Sequence, residues 1–141
     1  MEMGVNASRV LIADGDAGLR QQLFSALLSL DVFSDSVTTT AEALTRLTEE
    51  RYGVVVVDVL LPADVAHVIA HIASMPVAER PVVLVLANNP EAARSLDVEI
   101  VQIVLRKPVN LPQLVDVVRS CVRSAVVAIP PGNKSGDFLQ S

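Results

Sequence analysis

Asp14 and Asp16 stand one residue apart, with a glycine between them, directly after the apolar run VLIA at 10–13. Asp58 closes a second run, VVVVD, and Lys107 follows a third, IVQIVLR, just before Pro108. Carboxylates and one lysine at the ends of apolar runs suit a divalent cation and a phosphoryl group. Hard carboxylate oxygens hold Mg2+, the cation screens the phosphate, and the ammonium takes another oxygen as a point charge. Each residue taken alone also fits a turn or a helix cap. The chemistry depends on whether the fold brings them together.

The elements that would do so are legible. Four nearly continuous apolar runs, rich in β-branched residues, at 10–13, 54–59, 82–87 and 100–105, have the composition of strands buried on both faces of a parallel sheet. A more polar stretch, VFSDSVT at 32–38, suits an outer strand. Between them lie helical stripes. Leu19, Leu23 and Leu27 repeat every four residues, flanked by Phe24 and Leu30. Thr40 is placed to cap a helix carrying Ala43, Leu44 and Leu47. Val65, Val68, Ile69 and Ile72 form a third apolar face, and Pro90 to Leu96 is a short fourth candidate with proline in its first turn. A long final stripe includes Leu111, Leu114, Val115, Val118, Cys121, Val122 and Ala125. Strand and helix thus alternate five times, the pattern of an α/β, doubly wound domain. In such sheets ligands bind at the carboxyl ends of the strands, where Asp14, Asp58 and Lys107 fall.

Bulk properties narrow the function. The 141 residues suit one domain, expected over 1–127, with 128–141 (AIPPGNKSGDFLQS from Ala128) as a linker or tail. Hydrophobic residues make up 51% and aromatics only 3%, so the core is aliphatic. A net charge of −5 without a basic cluster argues against direct nucleic-acid binding. The single cysteine, Cys121, excludes an internal disulfide and fits a reducing compartment. The opening MEMGVNASR lacks the pattern of a signal peptide, and no apolar run approaches a membrane span, so the expectation is a cytoplasmic domain without membrane contact. The glycosylation sequon Asn6-Ala7-Ser8 is then a chance match.

Over residues 8–127 the sequence resembles the receiver domains of two-component response regulators. VLIADGDAGLR looks like that family's acidic opening, and YGVVVVDVLLP like its phosphoacceptor segment, with Asp58 as acceptor. PVVLVLA matches its fourth strand, and LRKP its strand-five Lys-Pro. The resemblance implies a flavodoxin-like (βα)5 fold with strand order 2-1-3-4-5. It also implies Asp14 and Asp58 as Mg2+ ligands, Lys107 as the phosphoryl contact, and a cis bond before Pro108. A partner histidine kinase or phosphotransfer protein would supply phosphohistidine, which Asp58 attacks in line. The product would bias a surface on the fourth helix, fifth strand and last helix, which is also a candidate homodimer face. Self-phosphotransfer is the most chemistry this reading allows; the chain is not expected to be an enzyme.

Four positions depart from the family. Gly15 replaces the second acid, usually the direct metal ligand, and Asp16 either reaches inward as a substitute ligand or caps the following helix, the cap being preferred. Leu86 replaces the Ser or Thr that binds the phosphoryl group. Val104 replaces the aromatic switch residue, and Ala66 replaces a glycine after the acceptor loop. Metal, phosphoryl pocket and readout are all touched, so a degenerate receiver is the leading expectation. A receiver that still accepts phosphate weakly and a phosphorylation-independent scaffold or dimerisation module are the alternatives, and Mg2+ binding is expected to be weak or absent. A remoter alternative is a haloacid-dehalogenase-like phosphatase with Asp14 as nucleophile and Asp16 as acid, although the fourth strand lacks the residues it needs.

Two further features are read as structural. Asp64, His67 and His71 share a helical face that could bind Zn2+, but solvent-exposed histidines are the expectation. Cys121 is read as core packing. Val117 and Val126 fall off the final stripe and would extend an apolar association surface beside the fifth strand.

Overall fold

The computed structural model describes residues 9–61 and 64–127. The chain runs β1 (Val10–Ala13), α1 (Ala17–Leu28), β2 (Ser34–Val37), α2 (Thr40–Glu49), β3 (Val54–Asp58), α3 (Ala66–Ala73), β4 (Val82–Ala87), β5 (Val101–Arg106) and α4 (Leu111–Val127). All five strands are parallel in the order β2-β1-β3-β4-β5, the doubly wound arrangement expected. The expected tail at 128–141 and the sequon at 6–8 lie outside the described residues.

Strand alternation divides the core into two layers. Val10, Ile12, Val54, Val56, Leu84 and Leu86 pack under α1 and α4, against Leu19, Leu23, Leu27, Leu114 and Val118. Leu11, Ala13, Val55, Val57, Val83 and Val85 face the other way, against Val68, Ile69 and Ile72. Every residue of β1 and β3 is buried, which explains their nearly continuous apolar composition. β2 is an outer strand and correspondingly polar. Its Asp35 accepts the Tyr52 hydroxyl at 2.6 Å, tying that edge to the start of β3.

Local chemistry sets the helix ends. Thr39, one residue before the threonine expected, caps α2 by accepting the Glu42 amide at 3.2 Å. After α1 the chain turns through Asp31 at φ 64°, with its amide on the Leu28 carbonyl and the Val32 amide on that of Leu27. This pair of bonds closes the helix as glycine usually does.

The fourth helix departs from expectation. Pro90–Ala93 forms a 3-10 turn only, and Ile100 is reached through further turns. Asn89 accepts the Glu91 amide at 2.9 Å, and Asp97 accepts the Glu99 amide at 2.8 Å. Each side chain offers the backbone a local bond that competes with a helical one. Leu96 and Ile100 still reach the core, but Gln102, Val104 and Arg106 stay exposed along β5. Val117, expected on the surface, is instead partly buried, because the apolar stripe of α4 is broad enough to include it and Cys121. The side chain of Val126 lies outside those described.

Relieving the left-handed backbone at Asp31 should stabilise the domain. Asp31→Gly is expected to raise the unfolding free energy by about 0.5–1 kcal/mol, read as a higher urea midpoint at constant slope.

Candidate functional site

Sheet parity and register assemble the site. Asp14 follows Ala13 by one residue and so continues the face carrying Val10 and Ile12; Asp58 lies on the same face as Val54 and Val56. Ala13 pairs with Val57, which sets Asp14 and Asp58 side by side, and Asp58 pairs directly with Leu86. Leu86 pairs with Leu105, and Lys107, two residues further on, has its amide on the Ala87 carbonyl at 2.9 Å. Acids and lysine from three strand ends therefore share one edge. The Lys107-Pro108 peptide bond is cis.

The side chains meet. Lys107 Nζ donates to Asp58 Oδ2 at 2.8 Å and lies 3.1 Å from Asp14 Oδ2. Its directional contact with Asp14 is a longer bond to Oδ1, at 3.4 Å, so the approach to Oδ2 is Coulombic. Asp14 Oδ1 also accepts the Asp16 amide at 2.8 Å, and Asp58 Oδ1 accepts the Leu60 amide at 2.9 Å. Asp14 is fully buried, and its Oδ2 accepts no hydrogen bond among the described residues.

Burial pushes the Asp14 carboxyl above its ordinary value. The Asp16 amide and Lys107 pull the other way, while the charge of Asp58 adds to the rise. Burial alone would lower the Lys107 ammonium. Its bonds to Asp58 and Asp14 and the charges of both acids outweigh that, and it is raised.

The other candidate positions behave differently. Asp16 caps α1, its side chain accepting the Leu19 amide at 3.2 Å, so the preferred sequence reading describes its contact. Gly15 is exposed, and a Cβ built there would meet nothing within 4 Å. Leu86 is fully buried beside Asp58. Val104 is 43% exposed on the opposite face of β5, away from the acids. Ala66 opens α3 with its amide on Asp64 Oδ1 at 2.9 Å. His67 is exposed, His71 is half-buried, and no group of three or more metal-ligating side chains occurs among the described residues. Sequence reading missed Arg20, whose Nη1 donates to the Asp14 carbonyl at 2.8 Å. Its position six residues past Asp14, one turn into α1, was the available signal.

Two adjacent buried carboxylates, one with an orphaned oxygen, fit a small divalent cation that keeps several of its waters. The Lys107 ammonium already neutralises part of their charge.

No protein-family model matches the chain, and no curated protein matches it either. Solved structures do. The beryllofluoride-activated NtrC4 receiver domain dimer superposes with a TM-score of 0.72 at 21% identity, over 84% of this chain and 98% of that one. The chain has the receiver-domain fold. The Thermotoga maritima response regulator TrrA, in complex with Mg2+ and BeF, gives 0.69 at 19% identity, over 81% and 98%. An adenylate cyclase from Rhodopirellula baltica gives 0.74 at 20% identity, over 94% and 96%. Identities this low establish architecture, and activity has to be argued from the site. No helix among the described residues is long and apolar enough to cross a membrane.

The raised Asp14 carboxyl gives a test with a definite sign. Ionised Asp14 is less favourable in the native chain than in the unfolded one, so Asp14→Asn should raise stability at neutral pH in metal-free buffer. The gain is full above Asp14's raised native value and closes as pH falls through it toward the ordinary 3.8, where the wild-type residue is itself protonated. Urea midpoints of both proteins from pH 7 to pH 3.5 measure the gap.

Proposed function

We propose that this chain is a receiver domain of a two-component response regulator in which phosphotransfer to Asp58 is impaired and signalling runs through protein contacts. The observation carrying this reading is the meeting of Asp14, Asp58 and Lys107 at one sheet edge, with fully buried Leu86 paired beside the acceptor. The retained trio supports descent from a phosphoryl site. The side chains around it support its weakening.

In this reading Asp58 is the nucleophile and Lys107 steadies the negative charge on the transferred group. Asp14 and Asp58 would hold Mg2+, which when bound offsets charge between carboxylate and phosphate. With Gly15 in place of an acid, the two carboxylates and Lys107 net a single negative charge, a weak attraction for a small, strongly hydrated cation. Leu86 supplies no donor, and a phosphoryl oxygen left unpaired there costs roughly 1–3 kcal/mol, or one to two decades in equilibrium.

The partner is then a histidine kinase or phosphotransfer protein in the cytoplasm, and the output surface is the exposed face of β5 with the turns before it and α4. Val104 and Val98 are both exposed on or beside that face, and Val104 has no ring to swing with phosphorylation. A second copy of the chain is a reasonable occupant of this face. Lys107 favours a second reading, a phosphorylation-independent scaffold, because its bonds to both acids tie three strand ends together. The phosphatase alternative needs Asp16 as a free acid, whereas Asp16 is engaged at the start of α1.

Incubation with Mg2+ and beryllofluoride or a small phosphodonor, read by Mg2+ titration and intact mass, tests the reading. Little or no phosphoryl mass gain at millimolar Mg2+ is expected. Stoichiometric phosphorylation that disappears in Asp58→Asn would overturn the impairment.

Rescue tests the cause. Gly15→Asp adds a carboxylate in open space and should tighten Mg2+ binding by about tenfold or more at little cost to stability. Adding Leu86→Thr should restore beryllofluoride binding, while the lost core packing lowers stability by about 2–4 kcal/mol. No gain in either variant would place the fault in the surrounding loops.

A further inference from the structure

We infer that Arg20 is a positioning residue for the acidic loop after β1, holding the Asp14 backbone so that its carboxylate points at Asp58 and Lys107; this rests on the reading of that cluster as a cation and phosphoryl site.

Asp14 is clamped from both sides. Its amide donates to the Val37 carbonyl of β2 at 3.2 Å, and its carbonyl accepts Arg20 Nη1 at 2.8 Å. The residue is fully buried, so without Arg20 that carbonyl would have no partner among the described residues. Arg20 is itself fixed by α1, whose cap is Asp16 and whose Arg20 amide bonds the Asp16 carbonyl at 3.0 Å. The loop therefore closes on itself. Asp14 Oδ1 holds the Asp16 amide, Asp16 starts the helix, and the helix returns Arg20 to Asp14. Gly15, between the two acids, is exposed and adds no packing of its own. Partners that orient a ligand are distinct from the ligand, and losing one loosens the site without removing a donor.

The sign of the effect separates positioning from charge. A guanidinium near a cation site repels the cation, so if Arg20 acted only through its charge, its removal would tighten Mg2+ binding. If it positions Asp14, removal weakens binding. Arg20→Met keeps the aliphatic stem and a good helix former while deleting the donor.

Two measurements on the full chain test this. Amide hydrogen exchange at Asp16, whose N–H rests on Asp14 Oδ1, needs no metal; Arg20→Met should speed it while core amides such as Val56 keep their protection. In the Gly15→Asp background, Arg20→Met should weaken Mg2+ binding about tenfold, and Arg20→Lys, which keeps a donor, should recover part of it. Unchanged Asp16 exchange, or Mg2+ binding as tight or tighter, overturns the positioning role. Faster Asp16 exchange in a chain that binds no Mg2+ in any background upholds the positioning of Asp14 and overturns the cation reading. If Arg20→Met does not fold, the Arg20→Lys chain is compared with wild type by the same two measurements, and a loss in neither overturns the proposal.

Discussion

Everything at the functional edge depends on one buried ionic contact, the Lys107 ammonium between Asp58 and Asp14. Burying two carboxylates close together is unfavourable unless a cation is supplied. Here the chain provides it from its most distant strand. That requirement constrains much else: β1, β3 and β5 must be parallel and in the register observed, and all three side chains must fall on the α1–α4 face of the sheet. Shifting any of these strands by one residue would send its charged side chain to the opposite layer, among Leu11, Val55 and Ile72. The hydrophobic pattern that buries the strands is therefore the same pattern that aims the charges.

The pairing also explains how such a site tolerates change. Gly15 sits outside the clamp, exposed and with room around it, so an acid can be lost or gained there without disturbing the core. Leu86 lies inside the apolar layer with Leu84 and Leu114, where a leucine packs better than the hydroxyl it replaces would. One departure is neutral for folding and the other favourable.

Much of this was legible in the sequence, and for physical reasons. Strands buried on both faces are written as nearly continuous apolar, β-branched-rich runs, so β1, β3 and β4 were plain, and so was the convergence of Asp14 after β1, Asp58 at the end of β3 and Lys107 after β5. The misreadings arose where local side-chain bonds compete with periodicity. Pro90 to Leu96 opens with a proline that suits a first turn, but Asn89 and Asp97 turn the backbone twice around that stretch, leaving a single 3-10 turn. Adjacent threonines made the start of α2 ambiguous by one residue, and Thr39 takes the cap. Arg20 escaped notice because its partner is a backbone carbonyl, so its place one turn into α1 was the sole hint and no pairing of side-chain types reinforced it.

The short fourth connection has a consequence at the other end of the sheet. In a doubly wound fold, an edge strand is normally screened by helices on both faces. β5 has α4 on one face and only turns on the other, so Gln102, Val104 and Arg106 form an open strip at the rim. Val104 is small and rigid at χ1, so the centre of this strip has little side-chain means of changing shape. The strip lies on the face of β5 opposite the three charged side chains, so it is presented independently of their packing. The same ammonium that makes the buried acids tolerable offsets one of their two charges, so the edge keeps a single negative charge held around an internal counterion.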